Sequence, residues 1–114
     1  METTRQNKVA RLIQKDMSEI ILMENRRIFG NAMVTVTKVK VATDLSVAKI
    51  YLSVFDVGQV DKKETLKKAN LHTKEFRKTL GKREKNQLRI IPELEFFIDD
   101  SLDYIENIEY LLRK

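Results

Sequence analysis

The stretch LRIIPELEFFIDDSL, residues 88–102, decides how this chain folds. Leu88, Ile90, Leu94, Phe96 and Ile98 share one parity and are apolar, whereas Arg89, Glu93, Glu95 and Asp99 on the other are charged, the period-two pattern of a strand with one buried face. Pro92 stands in its middle. Proline has no N–H to give to a ladder, so the pattern predicts a strand at a sheet edge or one carrying a bulge, with Leu94 and Phe96 in the core. The stretch is also acidic in a basic chain. Asp99, Asp100 and Asp103 precede Leu102, Ile105, Ile108 and Leu112 at helical spacing, and carboxylates at the positive end of a helix dipole account for part of that acidity. Asp100 or Ser101 is expected to cap this last helix.

Upstream, either Thr3 or Thr4 can cap a helix whose buried face is Val9, Leu12, Ile13, Met17, Ile20 and Ile21, ending before Gly30. MVTVTKVKV follows, with Val34 and Val36 on one parity and Val39 and Val41 on the other, so a bulge is expected near Thr37 or Lys38. Thr43 to Ser46 make a turn, and VAKIYLSVF, with Ala48, Ile50, Leu52 and Val54 on one face, completes an antiparallel hairpin. DKKETLKKANLHTKEFRKTLGKREK is helical by spacing through Leu66, Ala69, Phe76 and Leu80, but its apolar stripe thins between Asn70 and Lys74. A kink or break there is expected to give two short helices. The order is α-β-β-α-α-β plus a C-terminal helix: an α+β domain with helices on one face of a three-stranded sheet, which is also the order of the type II KH RNA-binding module. One domain is expected over residues 1–114.

Composition excludes several classes of chemistry. With no cysteine there is no disulfide framework, thiolate zinc site or cysteine nucleophile, which suits a reducing cytoplasm. METTRQNK leads into amphipathic sequence, so no signal peptide is expected, and no segment is apolar enough to predict a membrane span. His72 is the sole histidine, and no serine has a suggestive setting beside it. Glu93 and Glu95 stand about 7 Å apart along one strand face but read as solvated charges rather than an acid/base pair. Asp99, Asp100, Asp103 and Glu106 have the chemistry to hold Mg²⁺, yet helix capping explains the first three, so no metal, cofactor, catalytic residue or small-molecule substrate is expected.

The formal charge is +5, unevenly spread. Asp61 to Arg89 hold 11 basic and 4 acidic residues, whereas Ile90 to Lys114 hold 2 basic and 7 acidic. A concentrated basic segment points to a polyanion, with the acidic tail away from the contact. Lys74, Lys78, Lys82 and Lys85 fall along one side of a helix, opposite the apolar stripe, with Arg77 and Arg83 beside them and Arg89 just beyond. Such a ridge can neutralise several phosphates at once. The competing account is local pairing of Glu64, Glu75 and Glu84 with neighbouring cations on a solvated face. Lys38, Lys40 and Lys49 on the hairpin and Arg5, Lys8 and Arg11 on the first helix are further RNA-binding candidates. Tyr51 and Phe55 share a strand face and either stack on bases or pack beneath the last helix; His72 either contacts a nucleotide or is a surface residue of the kink.

Specific residues carry a resemblance: the basic amphipathic helix around Arg5, Lys8, Arg11 and Ile13; Val34 to Lys38 followed by Asp44-Leu45 and Ala48 to Ser53; Arg77, Leu80, Gly81 and Lys82; and above all Leu88 to Ser101 with Arg89, Pro92-Glu93-Leu94, Phe96, Asp99 and Asp100. Over nearly its whole length the chain resembles the ribosome-binding factor A family of bacteria. The resemblance implies a non-enzymatic, cytoplasmic, monomeric assembly factor that binds the small (30S) ribosomal subunit through its 16S RNA near the decoding region. It further implies a role in late maturation and rRNA processing, needed most in the cold. The chain has no GxxG, the loop with which KH domains grip a nucleic-acid backbone, and the family's Ala-x-Gly kink aligns on His72-Thr73-Lys74. Two alternatives remain open: a generic KH-type binder of single-stranded RNA, and a protein-interaction adaptor using the acidic C-terminal helix.

Overall fold

The structure, a computed structural model, describes residues 4–30, 32–55 and 61–99. Helix α1 (Thr4–Glu24) runs into a π-helical turn, Asn25–Phe29, and is followed by β1 (Met33–Val41), β2 (Val47–Phe55), α2 (Lys62–Leu71), α3 (Thr73–Glu84) and β3 (Glu93–Ile98). The strands form one sheet in the order β1-β2-β3, with β1 antiparallel and β3 parallel to the central β2. This is an α+β, KH-like arrangement. Thr3 and the helix expected from Leu102 onward, with its Asp100 or Ser101 cap, lie outside the described residues.

Both irregularities in the strand patterns have a structural cause. The β1–β2 register shifts between Val36 and Lys38, so Thr37 is the extra residue, and the shift keeps Val34, Val39 and Val41 all buried. The Thr37 hydroxyl lies 2.7 Å from Asp99 Oδ2 and 3.2 Å from the Tyr51 carbonyl, which pins the bulge to the far end of β3. Asp99 therefore closes the sheet as well as standing where a helix-capping charge was expected. Pro92 sits immediately before β3, whose pairing starts at Val47↔Glu93, and β3 is an edge strand; no ladder donor is missed. The proline ring is itself fully buried.

β1 has a strand on one side only, which leaves backbone groups without ladder partners. Amide side chains from α1 and its π-turn reach that backbone. Gln6 Nε2 donates to the Val41 carbonyl at 3.0 Å and Gln14 Nε2 to that of Thr37 at 3.3 Å. Asn25 acts as a surrogate strand residue: its Nδ2 donates to the Val34 carbonyl at 2.9 Å and its Oδ1 accepts from the Val34 N–H at 2.8 Å. Gly30 ends the π-turn with φ +65° and ψ −117°, a conformation open to glycine and costly for other residues.

The core lies between the sheet and the helices. Ile13, Met17, Ile20 and Ile21 of α1 meet Val34, Ile50 and Leu52, while Phe76 and Leu80 bring α3 onto β3, with Phe76 and Phe96 rings 5.5 Å apart and tilted by 58°. Phe96→Ala is expected to cost about 3–5 kcal/mol, a large share of the stability of a small domain. Urea unfolding measures it directly, and a loss below about 1 kcal/mol would show that the α3–β3 contact is dispensable.

Candidate nucleic-acid interface

Packing sets the direction of every charge on α3. With Phe76 and Leu80 buried, Lys74, Lys78, Lys82 and Lys85 are all exposed, and Lys74, Arg77 and Lys78 line a shallow hollow of 430 Å³. Among the described residues no carboxylate pairs with any of the four lysines. Nor does local pairing use up the acids: Glu75 bonds Arg27 of the π-turn.

The arginines beside the ridge have other work. Arg77 Nη2 donates to the Ile91 carbonyl at 2.8 Å and its Nε to that of Pro92 at 3.2 Å, with Glu93 Oε1 at 3.6 Å, so it holds the approach to β3 against α3. Arg83 bonds Glu19 and lies 3.5 Å from Asp16, joining α3 to α1. Its neighbour Glu84, expected to pair with a neighbouring cation, instead follows Phe76 and Leu80 on the inner face of α3; it is fully buried, and neither carboxyl oxygen has a hydrogen-bond partner among the described residues. Burial, and secondarily the adjacent carboxylate of Asp16, pushes its pKa up to about 8.

The break between α2 and α3 falls at His72, whose φ of −102° and ψ of 14° interrupt the helix without a left-handed residue. Its polar groups are satisfied locally: His72 Nδ1–H donates to the Lys68 carbonyl at 2.8 Å and the Thr73 hydroxyl to that of Asn70 at 2.7 Å. Lys74 already belongs to α3. The bend thus uses a side-chain cap where an Ala-x-Gly kink would use a glycine.

The remaining candidates form two groups. Lys38, Lys40 and Lys49 stand on the sheet face opposite the helices; Lys40 and Lys49 are cross-strand partners, and Lys38 Nζ lies 4.7 Å from the ring centroid of Tyr51. Tyr51 in turn stacks on Phe97, centroids 5.5 Å apart, while Phe55 is exposed at the end of β2. Arg5, Lys8 and Arg11 are exposed on α1, and Arg5 and Lys8 share a cleft with Arg89. Sequence patterns missed the bonds of Gln6, Gln14 and Asn25 to β1, that of Thr37 to Asp99, and the burial of Glu84. Two signals were visible: an asparagine in a good helix former, since it favours backbone bonds over helix, and the four-residue spacing of Glu84 from Leu80. Among the described residues no group of His, Asp or Glu could hold a metal ion, and no helix is long and apolar enough to cross a membrane.

A family model described as ribosome-binding factor A matches residues 5–112. Ribosome-binding factor A of Cytophaga hutchinsonii is 50% identical over 114 residues, 100% of this chain and 84% of that protein. The crystal structure of ribosome-binding factor A from Thermus thermophilus is similar in fold, with a TM-score of 0.66 at 22% identity over 82% of this chain and 94% of that one. A homology model of the Thermus thermophilus factor, fitted into a cryo-electron-microscopy map of its 30S complex, has a TM-score of 0.57 at 20% identity over 78% of this chain and 93% of that one.

Three substitutions check the electrostatics and the bend. Glu84 titrates at about 8 when folded and near 4.5 when unfolded, so between these values the folded state holds the extra proton and stability falls as pH rises. The slope is at most about 1.4 kcal/mol per pH unit, and Glu84→Gln should flatten it between pH 5 and 8 in urea titrations; an unchanged slope places the titration elsewhere. At the bend, Lys74→Gly should be less stable than Lys74→Ala by about 0.5–1 kcal/mol, as in any helix. A glycine variant that melts higher than the alanine one would mean that residue 74 has a backbone conformation suited to glycine.

Proposed function

The chain belongs to the ribosome-binding factor A family, and from that premise we propose that it binds the small ribosomal subunit through 16S RNA and assists the subunit's late maturation and rRNA processing. The observation that carries the RNA contact is the row of Lys74, Lys78 and Lys82 on α3 and Lys85 just past its end, all exposed and unpaired among the described residues. A duplex or folded RNA presents phosphates at close intervals, and flexible ammonium groups neutralise several of them with release of counterions. Arg77 adds a partly exposed edge beside the row. Arg83 is held by Asp16 and Glu19 and contributes to the surface potential rather than to direct contact.

The action is that of a binding protein rather than an enzyme. A factor with no reactive group changes the course of assembly only by binding one RNA conformation more tightly than another, so its effect on maturation is bounded by that difference in affinity. The chain works as a single domain and a monomer in the cytoplasm, with no membrane and no small molecule as partner. Absence of GxxG in the sequence disfavours a generic KH grip on single-stranded RNA.

Replacing Lys74, Lys78 and Lys82 together by glutamate should leave the fold intact, because all three are exposed, and should abolish most binding to purified small subunits. With about five phosphates neutralised, the log–log dependence of wild-type affinity on salt should have a slope of roughly −3 to −5. A flat salt response, or normal sedimentation of the triple variant with subunits, would remove the ridge as the main contact.

A further inference from the structure

Where the first turns of α1, the β1–β2 turn and the loop entering β3 meet, the surface opens into a cleft of 470 Å³ that none of Lys74, Lys78 or Lys82 lines. Small ligands occupy clefts of about 300–1,000 Å³. One side is cationic. Arg5 and Lys8 come from α1 and Arg89 from the loop, and among the described residues none of the three side chains has an ion-pair or hydrogen-bond partner. Arg27, Arg77 and Arg83, by contrast, are all engaged. The other side is apolar. Leu45 and Leu88 pack on the rim of the core, and Ile90 is 75% exposed, a large aliphatic surface left in water beside three free cations.

The walls are held in place. Leu45 has φ +62°, a left-handed conformation that a leucine enters only under constraint, and it is the one non-glycine residue among those described to do so. The Asp44 carboxylate fixes that turn by accepting from the Ser46 hydroxyl at 2.6 Å and the Ser46 N–H at 3.1 Å. Those two bonds also hold Asp44 below the usual carboxylate range, so it is ionised at neutral pH. The Glu93 N–H donates to the Ser46 carbonyl at 2.9 Å, tying the turn to the segment that carries Arg89 and Ile90. Three cations against one carboxylate leave the cleft positive.

We infer that this cleft takes one unstacked nucleotide of the bound RNA, its phosphate on Arg5, Lys8 and Arg89 and its base against Leu45, Leu88 and Ile90, an inference that rests on the RNA-binding function proposed above. An extruded nucleotide is held by apolar side chains against the face of its base, which a helical RNA hides, while cations take its phosphate. Asp44 offers an acceptor to an exocyclic amino group, which adenine, cytosine and guanine carry and uracil lacks. The ridge then supplies affinity independent of sequence, and the cleft supplies the address.

The test uses purified small subunits, the wild-type chain, the ridge variant K74E/K78E/K82E and a cleft variant Arg89→Gln with Ile90→Ser, both positions being exposed. Dimethyl sulfate probing of 16S RNA reads the pairing edges of adenine and cytosine, and kethoxal reads that of guanine. The wild type should change the reactivity of one unpaired base that the cleft variant leaves unchanged, while the cleft variant keeps the remaining protections and binds about five- to thirtyfold more weakly. The ridge variant should weaken all protections together. A cleft variant with wild-type affinity, or with every protection retained, overturns the inference and leaves the proposed function standing. Failure of the wild type to bind subunits overturns both. Adenosine monophosphate serves as the probe without RNA: micromolar binding at the cleft, followed by an unchanged RNA footprint in the cleft variant, would assign the cleft to a free nucleotide and overturn the inference.

Discussion

Parallel pairing of β3 with β2 is the constraint on which the rest of the molecule turns. Two parallel neighbours cannot be joined by a hairpin, so the chain must travel back along the sheet before β3 can begin, and α2 and α3 are that return path. The return path has to cover the sheet's apolar face, which puts Phe76 and Leu80 inward against Phe96. Helical periodicity does the rest. Once those two side chains point in, the lysines at 74, 78, 82 and 85 can only point out, so the electrostatic character of this surface follows from the connection the sheet requires.

Patterns with a short repeat were legible in the sequence. The exchange of parity between Val36 and Val39 marked the bulge at Thr37, the thin stripe after Asn70 marked the break at His72, and the proline before Glu93 marked an edge strand, because each is a local backbone fact written in neighbouring residues. Partnerships across the chain were not. Gln6 and Val41 are 35 residues apart, and nothing near either announces the bond. Glu84 follows Leu80 by four residues and so falls on the buried stripe of α3, yet its charge reads as that of a surface acid. Of the candidate interface, the four lysines could be placed by periodicity alone, whereas the commitment of Arg77 to two carbonyls and of Arg83 to α1 depends on tertiary packing.

The division between arginine and lysine has a physical basis. A guanidinium offers several donors in a fixed plane, suited to holding two carbonyls or two carboxylates at once, and Arg27, Arg77 and Arg83 each bridge separate parts of the fold in this way. An ammonium on a flexible stem is a poor clamp and a good mobile counter-charge. With arginines at these joints and lysines on the ridge, the surface stays highly positive without making the fold depend on the exposed charges. The fold leans on Arg77 and Arg83 and not on the ridge lysines, which have no partner among the described residues.

Leu45 shows how the same economy reaches the β1–β2 turn. A left-handed leucine costs roughly 1–2 kcal/mol relative to glycine or asparagine, which enter that region freely. Packing of its side chain on the rim of the core returns an amount of the same order, since burying a leucine fully contributes about 1.5–3 kcal/mol and this one is half-buried. Asp44 and Ser46 add the bonds that hold the turn closed. The balance is close to zero, so stability alone gives little reason for leucine over glycine at this position. What leucine contributes that glycine cannot is an aliphatic wall in a fixed place, sharing with Leu88 and Ile90 the cleft that Arg5, Lys8 and Arg89 make positive.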